Sequence, residues 1–471
     1  VELGAVLSQG GRVTDGLPTP RRYLAILALS FGTALVVIDG GIATVALPTI
    51  ARDLGVEASA AVSIVTIYQL VLVMTLLPFA ALGERIGLRR MYQLGLVVFT
   101  VATILCFFAR SLPFLLIVRA VQALGAAATL SVSSAMVRQI YPKARLGSGL
   151  GINSVVVSSA AAFAPTLGGL VLAVAPWPWV FASAAPFAML SLLLGRYLPT
   201  PEARDEPFDV LGAVLCAAMF GLIIGGAETA VHGDSPVVSA AIVASGIFVG
   251  ILFVRRERGE TRPILPLDLL GRPVFALSTV AAFAVFVAQM TFLLSLPFRL
   301  QHQYQLSPSE VGGVIAFWPL TTMFVAPSAG WLSDRVPAAV LGGVGMAIAT
   351  LALLLVAFLP ADPGFFDIAW RMSLCGAGFG LFLSPNARLQ IGSAPPERAA
   401  AAGGMISTTR LVGQTTGATL VAALLALGIG SGRIPALIAA TLTIVAGICS
   451  VARLRARVRK PTPVEMSDAP D

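Results

Sequence analysis

The sequence predicts an all-α membrane protein in which fourteen transmembrane helices form two six-helix bundles with two further helices inserted between them. Three observations carry this reading. Of the 471 residues 57% are hydrophobic and only 11% charged, and a mean hydropathy of +0.90 lies far outside the soluble range. Apolar runs long enough to cross a bilayer, whose core needs roughly 20 residues of helix, follow one another with polar breaks. A loop motif also recurs eight runs after its first appearance.

The apolar runs cover about 23–50, 59–82, 91–109, 113–137, 147–175, 178–198, 208–230, 237–254, 274–298, 309–331, 337–360, 364–387, 399–428 and 433–452. An even number puts both ends of the chain on one side. Orientation follows from Lys and Arg. With the N-terminus inside, inner segments hold 24 of these residues, outer loops hold 4 (Arg52, Arg110, Arg299, Arg433) and spans hold 3 (Arg119, Arg371, Arg410). Both termini are therefore expected in the cytoplasm. Residues 1–20 are polar and the first run is too long for a signal h-region, so no cleavable signal is expected.

The repeat sets the domain plan. Ala80-Ala81-Leu82-Gly83-Glu84-Arg85-Ile86-Gly87-Leu88-Arg89 follows the second run, and Gly330-Trp331-Leu332-Ser333-Asp334-Arg335 follows the tenth. Arg119 comes 35 residues after Glu84, and Arg371 comes 37 after Asp334. Two plain six-helix halves would be offset by six spans, so the offset of eight places spans 7 and 8 between the halves. The expected segments are a cytoplasmic 1–22, a first bundle at 23–198, a linker with two inserted helices at 199–272, a second bundle at 273–452 and a basic tail at 453–471. The tail arginines, Arg453 among them, read as a positive-inside anchor or as contacts to anionic headgroups. Repeated halves meeting at a midplane site are the architecture of alternating-access carriers.

Asp39, near the middle of the first run, is the residue around which function is expected to turn. A carboxylate at that depth costs a few kcal/mol or more unless paired, hydrated or protonated. Its expected task is to take and release a proton; the alternative is an acid in a wet cavity with a structural partner. Arg119 keeps its charge in practice, and Gln122 follows one turn deeper. Contact with either in one conformation and not in another would change the proton affinity of Asp39, because a nearby cation favours the carboxylate and burial favours the neutral acid. A static Arg119 bonded to backbone carbonyls is the alternative.

The remaining motifs have simpler physics. In the first loop Gly87 allows a tight turn, leaving Glu84, Arg85 and Arg89 to latch one arrangement of the halves or simply to set topology. In span 5 Pro165 removes a backbone donor and is expected to bend the helix. Ala160, Ala164, Gly168 and Gly169 make a face for close packing. The span-9 counterpart of Asp39 is Gln289, so only the first half carries a central acid; Glu228 lies near the outer end of span 7. Candidate cavity residues are Tyr68, Gln69, Gln289, Met290 and Trp318, with Arg371 and Arg410 inside their spans. For each aromatic or Met among them taken singly, contact with core or lipid is the preferred reading.

Other classes find little support. A charge of +8 and a pI near 9.8 would suit nucleic acid, but the basic residues fall in short loops rather than on one face, so no nucleic-acid partner is expected. Cys106, Cys216, Cys375 and Cys449 lie in apolar runs with no paired spacing, so neither disulfides nor a metal site is expected. No nucleophile or His/carboxylate cluster suggests an enzyme.

These residues together resemble the major facilitator superfamily and, within it, the fourteen-span drug:proton antiporters. Asp39 with Thr44-Val45 and Ala46-Leu47-Pro48 resembles that subfamily's first-span signature. Gly83, Glu84, Arg85, Gly87 and Arg89 are similar to the superfamily's G-x-L-x-D-R-x-G-R-K loop, with Ala80 for the first Gly and Glu for Asp; Asp334 and Arg335 repeat it. Arg119-x-x-Gln122 resembles the span-4 arginine motif, and Ala160-x-x-x-Ala164-Pro165-x-x-Gly168-Gly169 the antiporter motif with Ala at two Gly positions. The resemblance implies a monomeric, multi-pass protein of a bacterial-type cytoplasmic membrane, in contact with lipids. It would use the proton gradient and no cofactor to export small lipophilic compounds, cationic drugs or biocides among them. The alternatives are an exporter of one amino acid or organic anion, which Arg371 and Arg410 suit better than a cation, and a non-transporting receptor or scaffold on the same fold.

Overall fold

The computed structural model describes residues 16–142, 146–199, 209–231, 235–257, 265, 267–333, 335–395 and 398–456. Among them the regular elements are helical. They are α1 (Thr19–Leu54), α2 (Ala58–Ile86), α3 (Leu88–Phe107), α4 (Leu112–Ile140), α5 (Leu146–Val174), α6 (Pro178–Ala182), α7 (Ala185–Leu194), α8 (Val210–Val231), α9 (Pro236–Glu257), α10 (Pro273–His302), α11 (Pro308–Leu332), α12 (Ala338–Ala357), α13 (Phe365–Ser393), α14 (Ala399–Ala426) and α15 (Ile434–Ala456). Among the described residues eleven stretches are long and apolar enough to cross a membrane, the pair α6–α7 counting as one. Helices α5, α13 and α14 occupy three further apolar runs.

Local chemistry explains where these helices break and where they do not. The run at 178–198 divides between Ala182 and Ala185, because Pro186 has no N–H to offer the carbonyl one turn back. Pro165 does not divide α5, which continues from Leu146 to Val174. One lost donor is tolerated where neighbouring helices enclose the freed carbonyl. Gly87 stands between α2 and α3 at φ +101°, a conformation that side chains rarely adopt, so the expected tight turn is present.

We call the face at which α1 begins the near face and the opposite one the far face. Toward the far face the two halves of the chain interlock. Gly169 of α5 lies so close to α11 that a Cβ would stand 2.6 Å from the Pro308 carbonyl oxygen, and a Cβ on Gly312 would run into the Pro165 carbonyl. In hydrocarbon, where burial of apolar surface does little to drive helices together, such small-residue contacts carry the packing. The other seam joins α2 to α14, with Ile64 and Val65 in one buried cluster with Ala418, Val421 and Ala422. Helices α8 and α9 pack on each other, and α8 touches α2 and α14, with Ser63 donating to Glu228 Oε1 at 3.2 Å.

Arg453 is not part of a basic tail. Helix α15 runs on to Ala456, and Arg453, 2% exposed, donates to Ser278 Oγ at 2.9 Å, Asn386 Oδ1 at 2.5 Å and Ser450 Oγ. A guanidinium has five donors, and here neutral oxygens of α10, α13 and α15 accept from it. It ties those helices together near the near face.

Candidate functional site

Helix continuity places Asp39 at mid-length of α1, facing α4. Arg119 and Gln122 share one face of α4 because they stand three residues apart. The three side chains close a ring of hydrogen bonds: Arg119 Nη1 donates to Asp39 Oδ2 at 2.5 Å and to Gln122 Oε1 at 2.6 Å, and Gln122 Nε2 donates to Asp39 Oδ1 at 3.0 Å. Both carboxylate oxygens are thus engaged. Asp39 is 1% exposed and Arg119 and Gln122 are fully buried. Removing one member of such a pair leaves an uncompensated buried charge, which costs about 3–5 kcal/mol.

Aromatic rings and backbone complete the enclosure. The guanidinium lies 4.3 Å from the centroid of Tyr68 and 5.2 Å from that of Phe181, and its Nε reaches the Ile64 carbonyl at 3.4 Å. Gln122 Nε2 also donates to Thr103 Oγ1 at 2.9 Å. Tyr68 therefore belongs to the Asp39 cluster and is only 4% exposed; its hydroxyl has no hydrogen-bond partner among the described residues. Sequence reasoning missed Thr103 and Phe181. A hydroxyl in the third apolar run was the only signal for Thr103, and nothing marked Phe181.

The loop residues are not brought together. Glu84 and Arg85 are exposed, and neither they nor Arg89 make a salt bridge among the described residues. Asp334 lies outside the described residues. Arg335 stacks on Trp331, 4.1 Å from its centroid, and borders a near-face cleft of about 550 Å³ with Ser333, Val336, Arg388 and Ser393. The antiporter-motif face divides between two neighbours. Ala164 and Gly168 pack on Gly41 and Ile42 of α1, while Pro165 and Gly169 meet α11.

Among the described residues the second half has no equivalent of the Asp39 ring. Gln289 is half-buried, Met290 packs beside Gly417, and Trp318, 2% exposed, stacks on Phe292 and meets Phe379 at a tilt in the core. Gln69 is half-buried, with a buried Oε1 that has no hydrogen-bond partner among the described residues. Arg371 pairs with Asp367 one turn back in its own helix and lies 5.0 Å from the Trp370 ring. Arg410 is exposed on α14.

Comparison with known proteins agrees with this architecture. Residues 29–418 match the family model described as Major Facilitator Superfamily. The chain is 43% identical over 444 residues to the uncharacterized transporter YebQ of Escherichia coli, covering 93% of this chain and 97% of that one. It is 28% identical to the riboflavin transporter RibZ of Clostridioides difficile over 83% and 85% of the two chains. To the methyl viologen resistance protein SmvA of Salmonella typhimurium it is likewise 28% identical, over 88% and 85%. Among solved structures it superposes on a bacterial homolog of the human lysosomal transporter Spinster, in an inward-facing and unoccupied conformation, with a TM-score of 0.70. The coverage is 95% and 100% at 17% identity. These relatives are transporters and not enzymes, and the chain belongs to the major facilitator superfamily.

Proposed function

We propose that this protein exports lipophilic small molecules from the cytoplasm in exchange for protons, by alternating access. The observation that carries the reading is the closed ring of Asp39, Arg119 and Gln122 at mid-depth. A carboxylate holds its proton less tightly beside a cation and more tightly when buried without one. Separation of Arg119 from Asp39 in a second conformation would therefore load a proton, and renewed contact would release it. Export against a gradient needs proton and substrate each to shift the other's affinity.

The rest of the architecture is read accordingly. The fourteen helical runs are spans, arranged as two six-helix bundles with α8–α9 as the inserted pair, and the near face is cytoplasmic. The interlock of α5 with α11 and of α2 with α14 closes the far side, while the exposed Glu84 and Arg85 represent a latch that is open in this conformation. The protein works as a monomer in a bacterial-type inner membrane, with the proton gradient in place of a cofactor. Resistance and export proteins among its relatives support an efflux role.

Growth of an expressing strain on a panel of cationic dyes, biocides and metabolites identifies a transported compound. Its efflux from proteoliposomes under an imposed proton gradient is then measured for the unmutated protein and Asp39→Asn. We expect Asp39→Asn to fold and to lose gradient-driven efflux, since Asn keeps the shape and cannot ionise. Gradient-driven efflux by Asp39→Asn at the unmutated rate would overturn the coupling role.

A further inference from the structure

We infer that Arg410 anchors an anionic group of the substrate, so that the compounds carried combine a carboxylate or comparable acid with an apolar body. This rests on the exporter reading and narrows its substrate class. Arg410 is the twelfth residue of α14, about 17 Å of helix from the near-face end. It is exposed at that depth. It makes no hydrogen bond, ion pair or ring contact among the described residues. Five other arginines of the second half all have oxygen partners: Arg299 on the Val356 and Ala357 carbonyls, Arg371 on Asp367, Arg388 on Ser333, Arg398 on Asp268 and Arg453 on Asn386.

The rotation of α14 shows what Arg410 faces. Gly413 and Gly417 pack against Phe283, Phe286, Val287 and Met290 of α10. Leu411, Ala418 and Ala422 are buried, the last two in the cluster shared with α2. At about 100° per residue, Arg410 falls with Gly403, Ser407 and Gln414 on the strip between those two packed faces. Gly403 on that strip has nothing within 4 Å of where a Cβ would stand, and neither does Gly40, beside Asp39 on α1. The strip therefore borders open space between the halves.

Charge then selects the occupant. A guanidinium cannot give up its proton in practice, and against lipid tails it would cost a few kcal/mol or more, so the space it faces is wet. Asp39, the acid at mid-depth of α1, has both oxygens committed to Arg119 and Gln122. Glu228 accepts from Ser63 on the α2 side of α8. Among the described residues the interior thus presents an uncompensated positive charge at Arg410. A bare cation is repelled there, whereas a carboxylate gains charge-assisted, bidentate hydrogen bonds worth about tenfold or more in affinity.

The test uses three dyes on closely related xanthene frames: fluorescein, an anion; rhodamine B, whose carboxylate makes it zwitterionic; and rhodamine B ethyl ester, a cation. Binding to the purified full chain is read by fluorescence polarisation. We expect the unmutated protein to bind the two carboxylate dyes at least about tenfold more tightly than the ester. Arg410→Gln should abolish that preference by weakening the two carboxylate dyes and, with the repulsion gone, tightening the ester, and Arg410→Lys should restore part of it, as a point charge without the planar fork. An unchanged preference in Arg410→Gln, equal or tighter binding of the ester by the unmutated protein, or no binding of any dye would overturn the proposal. Proton-driven efflux, measured on the unmutated protein beside dye binding, separates the two readings. Carboxylate preference without proton-driven efflux in the unmutated protein sinks the exporter reading and leaves the anion site; proton-driven efflux without the preference does the reverse.

Discussion

The two halves use similar helices to hold charge in opposite ways. In the first, Arg119 and Asp39 meet at 2.5 Å, Gln122 bridges them and Tyr68 covers the guanidinium, so a cation and an acid cancel in a closed, buried ring. In the second, Gln289 is half-buried, Arg371 is paired within its own helix, and Arg410 is left exposed without a partner among the described residues. The difference teaches that two stretches of similar helices can treat buried charge differently. On the proposed reading, one half offers a titratable acid with a built-in competitor for its charge, and the other a fixed charge for a ligand.

The first way to break this contrast is to open the ring. Arg119→Met leaves the Asp39 carboxylate buried with Gln122 as its remaining donor, and we expect a loss of about 3–5 kcal/mol. Gln289→Ala in the second half should change stability by less than about 1 kcal/mol. Thermal unfolding in detergent, followed by size-exclusion chromatography of both variants, checks the pair. Equal stability would mean that the first half's ring is no more tightly organised than its counterpart.

A second variant acts where the halves meet. Gly312→Leu would drive a side chain into the Pro165 carbonyl, and because both neighbours are backbone we expect about 3 kcal/mol of strain in this conformation. The far-face seam should open, and a cysteine introduced by Ser309→Cys should react with a membrane-impermeant thiol reagent more than tenfold faster than in the Gly312 background. An unchanged labelling rate would remove the seam's role in holding the halves together.

The smallest effect is expected at the α8–α9 pair, away from both charge centres. Asp209, just ahead of α8, is bonded by Arg256 at 2.9 and 3.3 Å and by the Gly212 N–H at 2.9 Å. The Arg256 hydrogen bonds hold its carboxyl below the ordinary value, and the backbone bond adds to this. A lowered carboxyl stabilises the folded state fully above the unfolded pKa of about 4 and loses that contribution as pH falls through the folded value. The pair is partly exposed, so solvent screening keeps the contribution of Asp209 under about 1 kcal/mol. Asp209→Asn should therefore lower the melting temperature slightly at pH 7 and not at all at pH 2 to 3. A drop as large as that of Arg119→Met would contradict the ranking of the sites.

Much of this was legible in the chain, for reasons that can be named. Asp39, Arg119 and Gln122 stood out because a polar group in an apolar run is costly enough to need an explanation, and the structure brings all three together. Thr103 and Phe181 did not stand out, since a hydroxyl or a ring in a helix is cheap almost anywhere. Arg453 was misread because it begins a basic stretch that looks solvated. Its partners Ser278 and Asn386 lie 175 and 67 residues away, and sequence distance conceals such contacts. Trp318 read as a cavity candidate that more readily suits core or lipid contact, and its packing on Phe292 and Phe379 decides for core.

By itself the sequence determined the class of molecule, the positions of its apolar helices and the three residues of the charged ring. Each of these follows from local cost: hydrocarbon tolerates only helices or closed barrels and penalises every unpaired charge, so composition and spacing suffice. Only the tertiary structure decided which charges are cancelled and which are left open, that α5 meets α11 through Gly169 and Gly312, and that Arg453 ties three helices together. Those depend on helix rotation and on partners far apart in the chain. One residue turns a helix by about 100°, enough to carry an arginine from a packed face to an open one without altering the apolar pattern that reveals the helix.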